Sequence, residues 1–235
     1  IIDAMTTYGT RLFWPFIDQP VSVSSIFIID PLYTLPLLAV VIAALFRGQW
    51  SAFYSRSFTT ALVISSLYLG WSVGAQQIMA RDAAAVFAAA GEKVTVSETQ
   101  PMPFSTLVWR TIAITADGEV LTLAGSMFDP EPSGAIQRFS QGGALRALLP
   151  DSVAIGKVEQ FASGLYALRE QDGIVLLSDL RMGLHPDYAF TFAIGRRNGD
   201  EIVPEVISRL PSDRRLKDSA WIWQRLNDPT LVPPQ

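Results

Sequence analysis

Few residues of this chain can do chemistry, and the most telling ones are acids in apolar surroundings. Asp3 lies in Ile1-Ile2-Asp3-Ala4-Met5-Thr6-Thr7-Tyr8-Gly9, which reads as helical as far as Gly9. Three and four positions after Asp3 come Thr6 and Thr7, on the same helix face. An unpaired carboxylate in hydrocarbon costs several kcal/mol or more. The residue chemistry therefore allows a helix-end residue, a proton carrier or a divalent-metal ligand. Asp30 stands in Ile28-Ile29-Asp30-Pro31. Its carboxylate suits an N-cap and Pro31 suits the first helical position, although acids beside membrane helices are often functional.

The remaining candidates read as structural. Asp179 and Arg181 flank Leu180 near a strand end, so both face one side and form a salt bridge. Asp129, in Ser126-Met127-Phe128-Asp129-Pro130, is a turn or cap residue. His185, in Gly183-Leu184-His185-Pro186-Asp187-Tyr188, reads as an exposed loop histidine, since an acid–base role needs a partner that the sequence does not reveal.

Composition removes whole classes of function. The chain has no cysteine and one histidine, which excludes thiolate metal sites, disulfides, cysteine nucleophiles and an all-histidine metal site built from these residues alone. Walker, GxGxxG and GxSxG motifs are absent. A net charge of −4 argues against a nucleic-acid partner. Charged residues make up only 17% of the 235 residues, below the ~25% usual for soluble domains. Part of the chain therefore has lipid as its solvent.

The elements that must position the acids follow from this division. No charged residue occurs from Ser57 to Ala80, a 24-residue run against the ~20 that span a bilayer as a helix. Ser65, Ser66, Gly70 and Gly74 in this run are small enough to admit a neighbouring helix. Pro31 to Phe46 is a further uncharged run, with Pro36 close to its start. Two spans are expected, at about 31–46 and 58–80. The loop between them carries Arg47, Arg56, Trp50 and Tyr54 and no acid, which places it in the cytoplasm and the later residues outside. Residues 1–80 then form a helical membrane region and residues 81–235 a soluble α+β domain with an antiparallel sheet. Asp117-Gly118 and Asp172-Gly173 mark hairpins, and alternation in Val108, Arg110, Ile112 and Ile114 marks a strand with one covered face. A short helical insert is expected between Ser133 and Pro150, and a C-terminal helix capped by Ser212.

The run Ile1-Ile2-Asp3-Ala4-Met5-Thr6-Thr7-Tyr8-Gly9-Thr10, followed by Leu12-Phe13-Trp14-Pro15-Phe16 and by Ile29-Asp30-Pro31, resembles the YdjM/YfhP-like membrane-bound metal-dependent hydrolases of the bacterial inner membrane, a DUF457-type family. The segment from Pro101 to Arg110 resembles the start of the extramembrane domain in longer members. The resemblance implies that histidine-bearing helices precede Ile1, so that this chain is an N-terminally truncated piece. The chain also starts without Met or a cleavable leader. By the same resemblance Asp3 is a ligand of a divalent metal ion, zinc among the candidates, completed by a histidine one turn upstream. Thr6, Thr7 and Tyr8 then line or support that site, and Asp30 lines it from the facing segment. The site is incomplete in this chain, which alone is expected to be inactive.

Two functional classes follow. One is the C-terminal part of a multi-pass, membrane-embedded hydrolase acting on a membrane-accessible ester or phosphoester. The other is a non-enzymatic anchored protein whose soluble domain binds an envelope protein or a second copy of itself. The lipid bilayer is a partner in both.

Overall fold

The computed structural model describes residues 2–47, 52–211 and 220–233. The chain divides into two compact units, one of Ile1–Arg81 with Thr99–Trp109 and one of Asp82–Glu98 with Arg110–Gln235.

The first unit opens with a short 3-10 helix, Ile2–Met5, instead of a helix reaching Gly9. The chain turns at Gly9 (φ +63°), where a Cβ would lie 2.1 Å from the Val21 carbonyl oxygen. Only glycine suits both the left-handed backbone and this approach. Thr10 and Val21 then exchange a pair of backbone hydrogen bonds (3.1 and 2.9 Å). Two helices follow, α1 (Pro31–Arg47) and α2 (Ala52–Ala89).

The burial pattern of α2 suits apolar surroundings on its outer face. Within the first unit its buried positions are Tyr54, Ala61, Ser65, Ser72, Ala75 and Met79, at spacings of three, four and seven. Most are small or hydroxylated, whereas Leu62, Val63, Ile64, Leu67, Trp71 and Ile78 face outward. A water-exposed helix distributes its residues the other way round. Small residues let the backbones approach, as Ser65 shows: its hydroxyl donates to the Tyr33 carbonyl of α1 at 2.9 Å. Gly70 and Gly74 do not serve this purpose, since a Cβ on either meets nothing within 4 Å. Tyr54, near the start of α2, is buried. Trp50 and its neighbours in the connecting loop lie outside the described residues.

Among the described residues one helix, Tyr54–Ala89, is long and apolar enough to cross a membrane. The 38 residues of α2 extend about 57 Å, against a hydrocarbon core of about 30 Å. The 17 residues of α1 give about 25 Å, a shorter apolar rod.

The strands form two antiparallel four-stranded sheets where the sequence pointed to one. The first is ordered β1 (Val94–Pro101), β2 (Val108–Thr115), β3 (Glu119–Ser126), β4 (Gln137–Ser140). The second is ordered β5 (Tyr166–Gln171), β6 (Ile174–Leu184), β7 (Asp187–Asn198), β8 (Glu201–Arg209). Both Asp-Gly hairpins form. Asp172 (φ +52°) and Gly173 (φ +74°) make the two-residue turn between the paired Gln171 and Ile174, the geometry that matches strand twist.

In the second unit the first sheet is covered on both faces, so the single covered face expected for β2 is corrected. Ala83 and Phe87 of α2 pack on Ala113, Leu121 and Leu123. Ile112, Ile114 and Val120 pack on Leu180 and Tyr188 of the second sheet and on Leu165, the residue just before it. Alternate residues of that sheet, Val175, Leu177 and Ile194, bury Ile155 of the helix α4 (Val153–Phe161). The expected helical insert is half strand: Gln137–Ser140 pairs with β3, and only α3 (Gly143–Leu148) is helical. A last helix, α5, spans Ala220–Arg225, and the proposed Ser212 cap lies outside the described residues.

Candidate functional site

The first unit gathers an unusual density of buried hydroxyls and amides around one buried carboxylate. Asp30 is 4% exposed. It caps α1 as its sequence position dictates: Oδ1 accepts from the Tyr33 amide at 3.1 Å, and the Thr34 hydroxyl donates to its carbonyl at 2.8 Å. Its second oxygen does something a cap does not require. Oδ2 accepts the Tyr68 hydroxyl of α2 at 2.8 Å, and that phenol stands 3.2 Å from the Thr106 hydroxyl. A phenol has one proton. With that proton given to the carboxylate, the Thr106 hydroxyl supplies the proton of the second bond. Three distant segments thus converge on one acid.

A second line of polar contacts joins the opening segment to residues 99–109. The Thr7 hydroxyl, buried, donates to Gln100 Oε1 at 2.9 Å. Gln76 of α2 donates to the Thr99 carbonyl at 3.4 Å. Ser25 and Ser72, both fully buried, hold their hydroxyls 3.1 Å apart. Charge-assisted bonds of the Asp30–Tyr68 kind are roughly twice as strong as neutral ones, the more so away from water. The arrangement fixes the orientation of the carboxylate and of the phenol.

The predicted site residues are not all brought together. Asp30 belongs to the Tyr68–Thr106 cluster, and Thr7 to the Gln100 contact. Thr6 turns back to donate to the Asp3 carbonyl at 2.7 Å. Tyr8 is half-buried. Asp3 is exposed on the 3-10 helix. Of the three acids in residues 1–81, Asp18 pairs with Arg11 at 2.9 Å and Asp30 is bonded as described. Asp3 alone has a carboxylate with no ion pair or hydrogen bond among the described residues. Among these residues no group of three or more His, Cys, Asp or Glu could hold a metal ion.

Sequence reasoning missed Tyr68, Thr106 and Gln100 as site residues. A phenol within an uncharged span was the available signal for Tyr68, because its hydroxyl must find a partner inside the bundle. Thr106 and Gln100 gave none, since only the tertiary fold brings residues 99–109 to the helices.

In the second unit the acid–base pairs are structural. Arg181 grips Asp179 with two bonds, Nε to Oδ1 at 3.0 Å and Nη2 to Oδ2 at 2.8 Å. Asp129 closes its own turn by accepting from the Ser126 amide at 2.9 Å, and it also pairs with the fully buried Arg225 of α5 at 2.7–2.8 Å. Arg110, on β2, donates to the carbonyls of Leu180 and Arg181 at 2.9 Å each and to that of Gly183, which stabilises the irregular stretch of β6 between Asp179 and Gly183.

His185 is half-buried, not the exposed loop residue expected. It occupies the β6–β7 turn with its ring stacked on Phe139 at 4.2 Å. Burial, and then the Arg169 charge, push its pKa below the ordinary histidine value, against a smaller opposing pull from Asp187. The depressed folded pKa means that the unfolded chain takes up this proton first as pH falls. The second unit is accordingly expected to lose stability as pH drops through about 6.5 and below. His185→Phe, which keeps the stack, should lessen the drop in melting temperature between pH 7 and pH 5. An unchanged drop would remove His185 from the account.

Residues 1–79 match the family described as YdjM inner membrane protein. That stretch contains Asp3, Thr7, Asp30 and Tyr68 and stops short of Gln100 and Thr106. Neither the curated proteins nor the solved structures give a match.

Proposed function

From the premise that residues 1–79 are a YdjM inner membrane protein segment, we propose that the chain is the C-terminal part of a membrane-bound, metal-dependent hydrolase. α1 and α2 serve as a two-pass anchor with their connection in the cytoplasm. Asp3 supplies one ligand to a metal centre, and Asp30 with Tyr68 lines the same region. A membrane-accessible ester or phosphoester is the substrate class that suits the location.

The carrying observation is that the Asp3 carboxylate has no ion pair or hydrogen bond among the described residues. Every other acid of the membrane segment is satisfied internally, so Asp3 is the one with an oxygen pair left to bind something else. Among the described residues no further His, Cys, Asp or Glu joins Asp3 in a group that could hold a metal ion, and one carboxylate does not make a centre. Asp3 would hold the ion together with ligands beyond the described residues, and the metal would supply Lewis-acid activation of water there.

Asp3→Asn in the complete protein tests the reading. Metal content per protein, measured by plasma mass spectrometry, should fall together with hydrolysis. Unchanged metal content and activity would sink the role of Asp3.

A second reading, an anchored binding module, has one observation in its favour. β8 lies at a sheet edge and displays Val203 and the almost fully exposed Val206. Pro204, Glu201 and Glu205 blunt strand addition at this edge, so a partner would dock on the exposed valine side chains. Capture of an envelope protein by the full chain, independent of metal and of Asp3, would favour this reading over the first.

A further inference from the structure

The segment from Thr10 to Val21 is a closed loop with its apolar side chains turned outward. Its neck is shut by the Thr10–Val21 backbone pair and by the Arg11–Asp18 ion pair at 2.9 Å. Its interior is backbone: the Phe16 and Ile17 amides both donate to the Phe13 carbonyl, at 2.8 and 3.0 Å. The loop is therefore shaped by main-chain bonds and not by packing of its own side chains. Phe13 is 54% exposed, Trp14 68% and Phe16 92%, with Leu12 and Ile17 also exposed.

Three bulky aromatics displayed on a shaped loop make no sense in water, where their burial is the dominant favourable term. They make sense at a bilayer. Aromatic side chains favour the boundary between headgroups and acyl chains, and the charges at the neck then sit at headgroup level. After the buried Ser24, Ser25 and Ile26, apolar side chains are exposed again at Ile28, Ile29 and Leu32, where the outward-facing start of α1 begins. Twelve residues folded back on themselves are too short to cross, so the loop can enter only one leaflet.

We propose that Thr10–Val21 is an interfacial membrane anchor that inserts Phe13, Trp14 and Phe16 into the acyl boundary of one leaflet, and so sets the depth of the adjoining Asp3–Tyr8 segment. The occupant of this surface is lipid. The proposal rests on the membrane assignment of residues 1–79 and not on the hydrolase reading, so metal or activity measurements do not bear on it.

The absence of native cysteine makes a direct test clean. Phe16→Cys in the full chain is labelled with a nitroxide and placed in phosphatidylethanolamine–phosphatidylglycerol vesicles. Leu62→Cys, on the outward face of α2, and Gln19→Cys, beside the neck, give deep and shallow references. Trp14→Cys repeats the reading, so that one poorly behaved variant does not decide the matter. Oxygen should reach the labels at 14 and 16 several-fold better, relative to a water-soluble nickel chelate, than it reaches the label at 19, and their depth should fall between the two references. Equal access of the chelate at 16 and at 19 would overturn the proposal. So would an immobilised label that neither reagent reaches, which would put protein, from this chain's neighbours or a second copy, on the surface in place of lipid.

Discussion

Asp179→Ala lowers the unfolding free energy of the second unit by about 3–5 kcal/mol, the usual result of removing one partner of a buried pair. The Asp179 side chain is completely buried and that of Arg181 is 4% exposed. Arg181 also donates to the Phe161 carbonyl and, at 3.4 Å, to the Ser163 hydroxyl. Those contacts orient the guanidinium without neutralising it. With the carboxylate gone, a full charge stays inside and no water replaces its partner. The pair is not for that reason a net source of stability. Replacing both members with apolar residues of similar volume, Asp179→Leu with Arg181→Met, should recover most of the loss. Urea unfolding in detergent micelles, followed by tryptophan fluorescence, reads both. A single-variant loss below about 1 kcal/mol, the range of exposed pairs, would show that the charge escapes to water.

Asp30→Ala and Asp30→Asn separate structure from chemistry at the buried acid. Alanine removes the cap of α1, worth about 1 kcal/mol, and strips the Tyr68 hydroxyl of its strongest acceptor, worth about 1–3 kcal/mol more if the phenol stays buried. Asparagine keeps an acceptor for the Tyr33 amide. Its NH2 can face Tyr68, whose proton then turns to Thr106. Stability in the Asn variant should accordingly stay within about 1 kcal/mol of the parent. Under the hydrolase reading the two variants of the complete protein lose activity alike although only Ala loses stability. Activity that tracks stability instead, lost in Ala and kept in Asn, would confine Asp30 to capping.

What could be read from sequence depended on the range of the signal. Asp172-Gly173 declares its turn within two residues, and the uncharged run from Ser57 to Ala80 declares its solvent within one element. Asp30 before Pro31 announced a cap, and it caps. The failures are all cases where a distant partner decides. Gln137–Ser140 becomes a strand because β3 offers it an edge, against the helical look of its surroundings. β8 contains Pro204 and charged residues, an unpromising strand that an edge position tolerates. Arg110 looked like one residue of an alternating strand, yet it is aimed at three carbonyls some seventy residues away. The polar cluster suffers the same limit, for Asp30, Tyr68 and Thr106 are each ordinary in their own sequence context.

The discontinuity of the first unit has a consequence for biosynthesis. Its helices are complete once Ala89 has left the ribosome, yet Thr7, Tyr68 and Gln76 still lack Gln100, Thr106 and the Thr99 carbonyl. Those partners arrive only with the segment Thr99–Trp109, after the chain has already begun its first sheet. A membrane region that is finished by a returning segment cannot mature ahead of the residues that follow it. Packing of α1 on α2 therefore leaves these hydroxyls and amides without their partners until Thr99–Trp109 is made, and a chain cut short after Arg81 would never supply them.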